Sequence, residues 1–216
     1  MKFSVAVAAM AGLAAAAPHD LVERQLNSND VENGPCQNIF LVYARGSTEV
    51  GNMGELMGPQ LCNSLKRKYP NQTGCQGVGG PYRAGLMDNV SLSGTTPAAI
   101  GEASRMLNDA MTKCPNAKIV AGGYSQGSAV MMNAIRAMSP AQMERILGVI
   151  FFGYTKNAQN RGQIPGFPSD KLKVICKPSD GVCGGALLVT AGHLSYDIDG
   201  SVGQAAQFLE SKIDAA

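Results

Sequence analysis

The sequence predicts an α/β protein, a parallel sheet with helices on both faces, and three observations carry that prediction. Apolar runs of strand length recur at 38–44, 117–121, 149–152 and 172–175. Runs that are apolar at every position, not every second one, mark strands buried on both faces. Segments of helical period stand between them, and strand–helix alternation is the pattern of parallel crossover units. Nothing repetitive or low in complexity divides the chain. The expectation is one domain over 25–216 with a central sheet of about five strands.

Taken in order, Met1-Lys2 is a short basic start and 3–16 an apolar stretch, with small residues up to Ala17 offering a cleavage point. That reads as a secretory signal peptide over 1–17, too short to span a bilayer. A polar pro-segment at 18–24 follows, and 25–37 reads as a loosely held arm. After the strand 38–44 comes a tight loop, Arg45-Gly46-Ser47-Thr48-Glu49. A helix is expected at 59–68, with Leu61, Cys62 and Leu65 on one side. Asn71-Gln72-Thr73 is a glycosylation sequon in a turn. A short strand at 75–78 precedes an irregular stretch at 82–95. Thr96-Pro97 is a cap followed by proline at the first helical position. Ile100, Ala103, Leu107 and Ala110 then keep helical spacing to Lys113. The strand 117–121 feeds Gly123-Tyr124-Ser125-Gln126-Gly127 and a helix behind it. Ser139-Pro140 starts another helix, expected through Leu147, before the strand 149–152. A long connection at 155–170 leads to the last strand, 172–175. Val202, Ala206, Leu209 and Ile213 space a final helix that covers the sheet.

Composition narrows the function. The net charge is +2 and only 16% of the 216 residues are charged, which argues against nucleic acid or an anionic surface as the main partner. No stretch after the leader is long and apolar enough for a membrane helix. Six cysteines in a secreted chain imply three disulfides out of fifteen possible pairings. Nearest-loop pairing gives Cys176–Cys183 and Cys62–Cys75, which leaves Cys36–Cys114. A zinc site is disfavoured because no CxxC pair exists and histidine is almost absent. In the loop-entropy account the long bridge contributes roughly 4–5 kcal/mol and the 176–183 bridge about 2–3 kcal/mol. The short bridge is therefore expected to hold local geometry.

The G-x-S-x-G between a strand and a helix is the sequence of a nucleophile turn. The serine there takes a strained backbone, and the helix start behind it offers N–H groups to an oxyanion. A serine hydroxyl needs a neighbouring base. The two histidines are His19, in the segment expected to be removed, and His193, so His193 is the candidate base. A carboxylate must orient the imidazole. Between Ser125 and His193 stand Glu144, Asp170 and Asp180; Asp197 and Asp199 come after His193. In hydrolases with this turn the order is Ser, Asp, His. Asp180 follows the last strand and sits inside the 176–183 loop, so it is the choice. For the oxyanion, the N–H of Gln126 is one donor, and Ser47, in the loop after the first strand, supplies the other.

Five stretches together resemble the fungal cutinase family. They are Ala44-Arg45-Gly46-Ser47-Thr48-Glu49; Gln76-Gly77-Val78-Gly79-Gly80; Gly122-Gly123-Tyr124-Ser125-Gln126-Gly127; Phe152-Gly153-Tyr154-Thr155-Lys156-Asn157; and Cys176, Asp180, Cys183 with His193-Leu194. The resemblance runs from about residue 35 to the C-terminus. It implies a lidless α/β-hydrolase fold with a shallow open crevice, and hydrolysis of cutin, the polyester of plant cuticle, and of soluble short-chain esters. It gives Ser125, Asp180 and His193 the catalytic roles, Ser47 and Gln126 the oxyanion role, and Asn89 the support of Ser47. Two positions depart from it: Gly192, where relatives often carry proline, leaves a looser histidine loop, and Met87 replaces a usual glycine. The sequon Asn89-Val90-Ser91 is expected to stay unused, because a glycan there would crowd the crevice.

An aliphatic acyl chain needs apolar walls. Leu86 and Met87 on one side, and Leu187, Leu188, Val189 and Leu194 on the other, are the expected rim, with Tyr124 beside the nucleophile. No cofactor or metal is called for, and a monomer is expected. Two other readings remain: an acetyl esterase acting on xylan, and a secreted binding protein that has lost its chemistry. The absence of tryptophan and the aliphatic loops weigh against a polysaccharide platform, and the intact Ser, Asp and His weigh against the second.

Overall fold

The computed structural model describes residues 26–216; the expected leader 1–17, the expected pro-segment 18–24 and His19 lie outside the described residues. Five strands, β1 (Ile39–Ala44), β2 (Thr73–Gly77), β3 (Lys118–Tyr124), β4 (Ile146–Phe152) and β5 (Leu172–Ile175), form one sheet in the order β2-β1-β3-β4-β5. Every pair is parallel. The helices are α1 (Asp30–Asn33), α2 (Met57–Lys68), α3 (Pro97–Lys113), α4 (Gln126–Arg136), α5 (Pro140–Glu144), α6 (Asn157–Asn160) and α7 (Ser201–Asp214).

Strand alternation sorts the apolar runs into two cores. Phe40, Val42 and Ala44 of β1, Ile119 of β3 and Phe151 of β4 pack under α3 and α4. Ile39, Leu41 and Tyr43, with Val120, Ile150 and Phe152, pack under α2 and α7. Successive side chains leave opposite faces of a strand, so a run apolar at every position fills both. Thr96 caps α3 by accepting from the Ala99 N–H, and Ser139 with Gln142 forms a capping box on α5. Three disulfides tie the layers: Cys36–Cys114 joins the arm to the end of α3, Cys62–Cys75 joins α2 to β2, and Cys176–Cys183 closes the turn after β5.

Four expectations need correction. The arm at 25–37 is not loose among its described residues. Val31 is buried in the core, the Asp30 carboxylate accepts the Cys75 N–H at 2.8 Å, and the Gly77 N–H donates to Ser28 O at 2.8 Å. The Asp30 side chain and the Ser28 carbonyl, polar groups that read as solvated in the sequence, serve as partners of the β2 backbone. The helix after Ser139 stops at Glu144, and Leu147 lies inside β4; pairing with β3 overrides local helical propensity. β2 begins two residues before 75 and ends at Gly77. The irregular stretch 82–95 contains a 3₁₀ turn, Leu86–Val90.

Candidate active site

β3 ends at Tyr124, α4 begins at Gln126, and Ser125 between them has φ 52° and ψ −121°. A side chain in such a conformation costs about 1–3 kcal/mol and persists only where the surroundings hold it. Two contacts hold it here. The Ser125 N–H donates to Phe152 O at 2.9 Å, and α4 presses on β1 so closely that a Cβ on Gly127 would lie 2.0 Å from Ala44 O. The turn therefore requires glycine two residues after the serine.

The strand ends bring three distant residues together. His193 Nε2 lies 3.0 Å from Ser125 Oγ, and His193 Nδ1 lies 2.9 Å from Asp180 Oδ2. An ionised carboxylate only accepts hydrogen bonds, so Nδ1 carries a hydrogen and, in the neutral ring, Nε2 turns a lone pair toward the hydroxyl. Asp180 and His193 are buried, and Ser125 retains 9% exposure. Burial by itself would raise the Asp180 carboxyl. Hydrogen bonds from His193, Tyr196 and the Val182 N–H, with the charge of His193, together hold it below its ordinary value. The Cys176–Cys183 bridge encloses Asp180. Glu144 and Asp170, the other carboxylates between Ser125 and His193, instead face Lys171 and Lys212 in surface ion pairs.

Gly192 does not leave the histidine loop slack. A Cβ there would lie 2.4 Å from Ser179 Oγ and 2.7 Å from Ser179 O, so the loop fits against its neighbour only without a side chain. Thr190 Oγ1 donates to Ser179 O at 2.6 Å, and the His193 N–H donates to Thr190 O at 3.0 Å.

Ser47 lines the cleft above Ser125 on a loop braced from several sides. Asn89 Nδ2 donates to Ser47 Oγ and to Leu86 O, both at 2.9 Å. The Thr48 N–H donates to Ala84 O at 2.9 Å. The Gly46 N–H donates to Glu49 Oε2 at 2.6 Å, and Arg45 Nε donates to Glu49 O at 2.8 Å. Burial raises the Glu49 carboxyl against the pull of the Gly46, Leu56 and Glu55 N–H groups. Gln126 Nε2 donates to Gly85 O at 2.6 Å, so its side chain braces the opposite wall while its N–H heads α4.

The cleft holds about 580 Å³. Leu86, Met87, Tyr124, Leu187, Val189 and Leu194 all line it, as do Val90, Val182, Thr48 and Thr155, for which the sequence implied no place in the wall. Leu188 is exposed but does not line the cleft. Leu86, Met87, Val90, Val189 and Leu194 are each more than half exposed, so the cleft is open at an aliphatic rim. Tyr124 lies beneath it. Its ring stacks on His193 with centroids 5.0 Å apart, and its hydroxyl donates to His193 O at 2.9 Å.

Tyr196 also escaped the sequence. Its hydroxyl donates to Asp180 Oδ2 at 2.6 Å. The only signal was a tyrosine three residues after His193, which by itself reads as core.

A family model described as Cutinase matches residues 35–213. A cutinase of Pyricularia oryzae is 50% identical over 190 residues, 86% of this chain and 83% of that protein. The solved structure of a Trichoderma reesei cutinase in complex with a C11Y4 phosphonate inhibitor has a TM-score of 0.75 at 32% identity, covering 87% of this chain and 80% of that one. An acetylxylan esterase structure has a TM-score of 0.64 at 22% identity, covering 83% of this chain and 100% of that one, a likeness of fold alone.

Proposed function

Because the chain belongs to the cutinase family and is a carboxylic ester hydrolase, we propose that it is a secreted serine esterase, one domain over 25–216, that cleaves cutin and soluble short-to-medium-chain esters through Ser125, His193 and Asp180. The observation that carries this reading is the continuous line of contacts from Ser125 Oγ through both ring nitrogens of His193 to Asp180 Oδ2, at 3.0 Å and 2.9 Å.

Ser125 Oγ attacks the ester carbonyl carbon while His193 Nε2 takes its proton. The carbonyl π pair moves onto oxygen, and the N–H groups of Gln126 and Ser47 donate to that oxyanion. Removing one such donor costs on the order of 10²–10³ in kcat. Collapse of the intermediate breaks the bond to the alcohol, which leaves with the proton from Nε2. Water then enters, gives a proton to Nε2 and attacks the acyl-enzyme, and the second collapse frees the acid and returns the proton to Ser125. Asp180 stabilises the imidazolium that forms twice in each cycle.

The aliphatic rim suits an acyl chain. No tryptophan is present to offer a sugar platform, so acetylated xylan is the less suited substrate. The disulfides suit an oxidising compartment, and no helix of the described residues is long and apolar enough to cross a membrane. An ester series of rising acyl length, run beside Ser125→Ala and with a fluorophosphonate probe, tests the proposal. Labelling of the wild type and loss of at least about 10³-fold in the variant are expected. An active Ser125→Ala, or preference for acetylated xylan over a medium-chain polyester, would overturn it.

A further inference from the structure

Tyr196 is fully buried, and the hydrogen bonds of its hydroxyl run in one direction. The Lys177 N–H donates to Tyr196 Oη at 3.1 Å, so the phenolic hydrogen is left for Asp180 Oδ2, 2.6 Å away. The same Oδ2 accepts from His193 Nδ1 at 2.9 Å, while Oδ1 accepts from the Val182 N–H at 2.8 Å. One carboxylate oxygen thus serves two charge-sensitive donors, and one of them is the base.

We propose that Tyr196 is a positioning residue for ester hydrolysis: by sharing Asp180 Oδ2 with His193, its hydroxyl fixes the carboxylate and limits how firmly that carboxylate holds a proton on the imidazole. The proposal rests on the reading that Ser125, His193 and Asp180 carry the reaction. The physical ground is charge sharing. A hydrogen bond to an ionised acceptor is about twice as strong as one between neutral groups, and each donor draws on the charge available to the other. Without the hydroxyl, more of the carboxylate charge faces Nδ1–H, and the imidazolium is better stabilised.

The groups around the pair are few. From the loop after β5, Lys177 places its ammonium 4.8 Å from the centroid of the Tyr196 ring and pairs with Asp199. It also donates to Ser195 Oγ at 2.6 Å. From β3, Tyr124 stacks on His193 and meets Tyr196 edge-on at 6.4 Å. Glu49 and Asp197 act on Tyr124 at longer range. Burial, then the Asp180 bond, pushes the Tyr196 phenol well above its ordinary value, so it remains a donor throughout the working range. The plain alternative is that Tyr196 only fills space between Phe152 and Tyr124. In that case phenylalanine would serve as well.

Tyr196→Phe separates the two. The test reads kcat/KM against pH on a soluble butyrate ester, together with the downfield proton resonance of His193 Nδ1–H, the latter also in the Ser125→Ala background, where no activity is needed. The expected result is an acid-limb midpoint moved to higher pH by about half a unit to one unit, a downfield move of the resonance, and an unchanged KM. An unmoved midpoint and resonance would overturn the proposal. So would loss of the fold on removing one hydroxyl, since Tyr196 would then be structural. An active Ser125→Ala would sink the reading of the site itself; an inactive one beside an unmoved Tyr196→Phe profile sinks only this inference.

Discussion

Gly153 stands at the end of β4 with φ 54°, directly behind the imidazole. A Cβ built on it would lie 2.6 Å from His193 Cε1, 2.7 Å from Nδ1 and 3.0 Å from Asp180 Oδ2. Carbon atoms in contact settle at about 3.5–4.0 Å, so in Gly153→Ala the ring must retreat by about 1 Å. That distance is comparable to the tolerance of the 3.0 Å contact between Nε2 and Ser125 Oγ. Misplacing a reacting group by about 1 Å costs on the order of 10²-fold in rate, or about 2.7 kcal/mol of barrier. The left-handed backbone adds about 1–2 kcal/mol against folding once a Cβ is present, well inside a typical stability of about 5–15 kcal/mol. The variant should therefore fold and bind but turn over about a hundredfold more slowly, with KM on a soluble p-nitrophenyl ester little changed. Circular-dichroism melting run alongside separates the two effects. A kcat within about twofold of wild type, or a loss that tracks the unfolded fraction, would refute the reasoning.

Three further predictions follow from other parts of the molecule. Placing aspartate at Leu187 or Val189 puts a charge on the aliphatic rim, and it should reduce polyester hydrolysis several-fold more than hydrolysis of a short soluble ester; equal losses would remove the rim from substrate contact. Asp180 is held below its unfolded value of about 3.8, so its stabilisation is complete above that value and disappears as pH falls through the lower folded one. Glu49, raised by burial, acts in the opposite sense but is present in both proteins when wild type is compared with Asp180→Asn. The gap between their urea midpoints should be constant near neutrality and close below about pH 4; a gap that widens on acidification would contradict the assignment. Of the two sequons, Asn71 is exposed in a turn with φ 60°, whereas both hydrogens of Asn89 Nδ2 are engaged by Ser47 and Leu86. Mass spectrometry of protein secreted from a fungal host should find glycan at Asn71 and none at Asn89.

What could be read from the chain alone was whatever lies close in sequence or is forced by scarcity. The turn around Ser125 is five consecutive residues between two patterns of different period. His193 stood out because the only other histidine precedes the domain, and Asp180 because chain order and a short disulfide loop left no better carboxylate. Strands β1, β3 and β4 were visible because both faces are buried, which leaves a nearly unbroken apolar run. The arm reads as loose in the sequence because Asp30 and Ser28 look solvated until β2 supplies their backbone partners from more than 40 positions away. The helix after Ser139 ends sooner than its local pattern implies because pairing to β3, not local propensity, decides where β4 begins. Tyr196 and Gly153 were passed over for a shared reason: a buried tyrosine and a strand-end glycine acquire meaning only beside the imidazole, and that proximity is tertiary.

The arm has a consequence beyond its own stability. β2 is the outermost strand on one side of the sheet, and an outermost strand offers unpaired N–H and C=O groups to any neighbouring chain. Here the Cys75 and Gly77 N–H groups are taken by Asp30 and Ser28, Asn29 bridges to Gln76 in the antiparallel sense, and the Cys36–Cys114 bridge keeps the strap from peeling away. The opposite border, β5, is only four residues long. One margin is covered by the arm and the other is short, two of the ways in which a sheet limits strand-on-strand pairing between copies. A sheet whose longer border is closed by its own chain leaves less open backbone to recruit a neighbour.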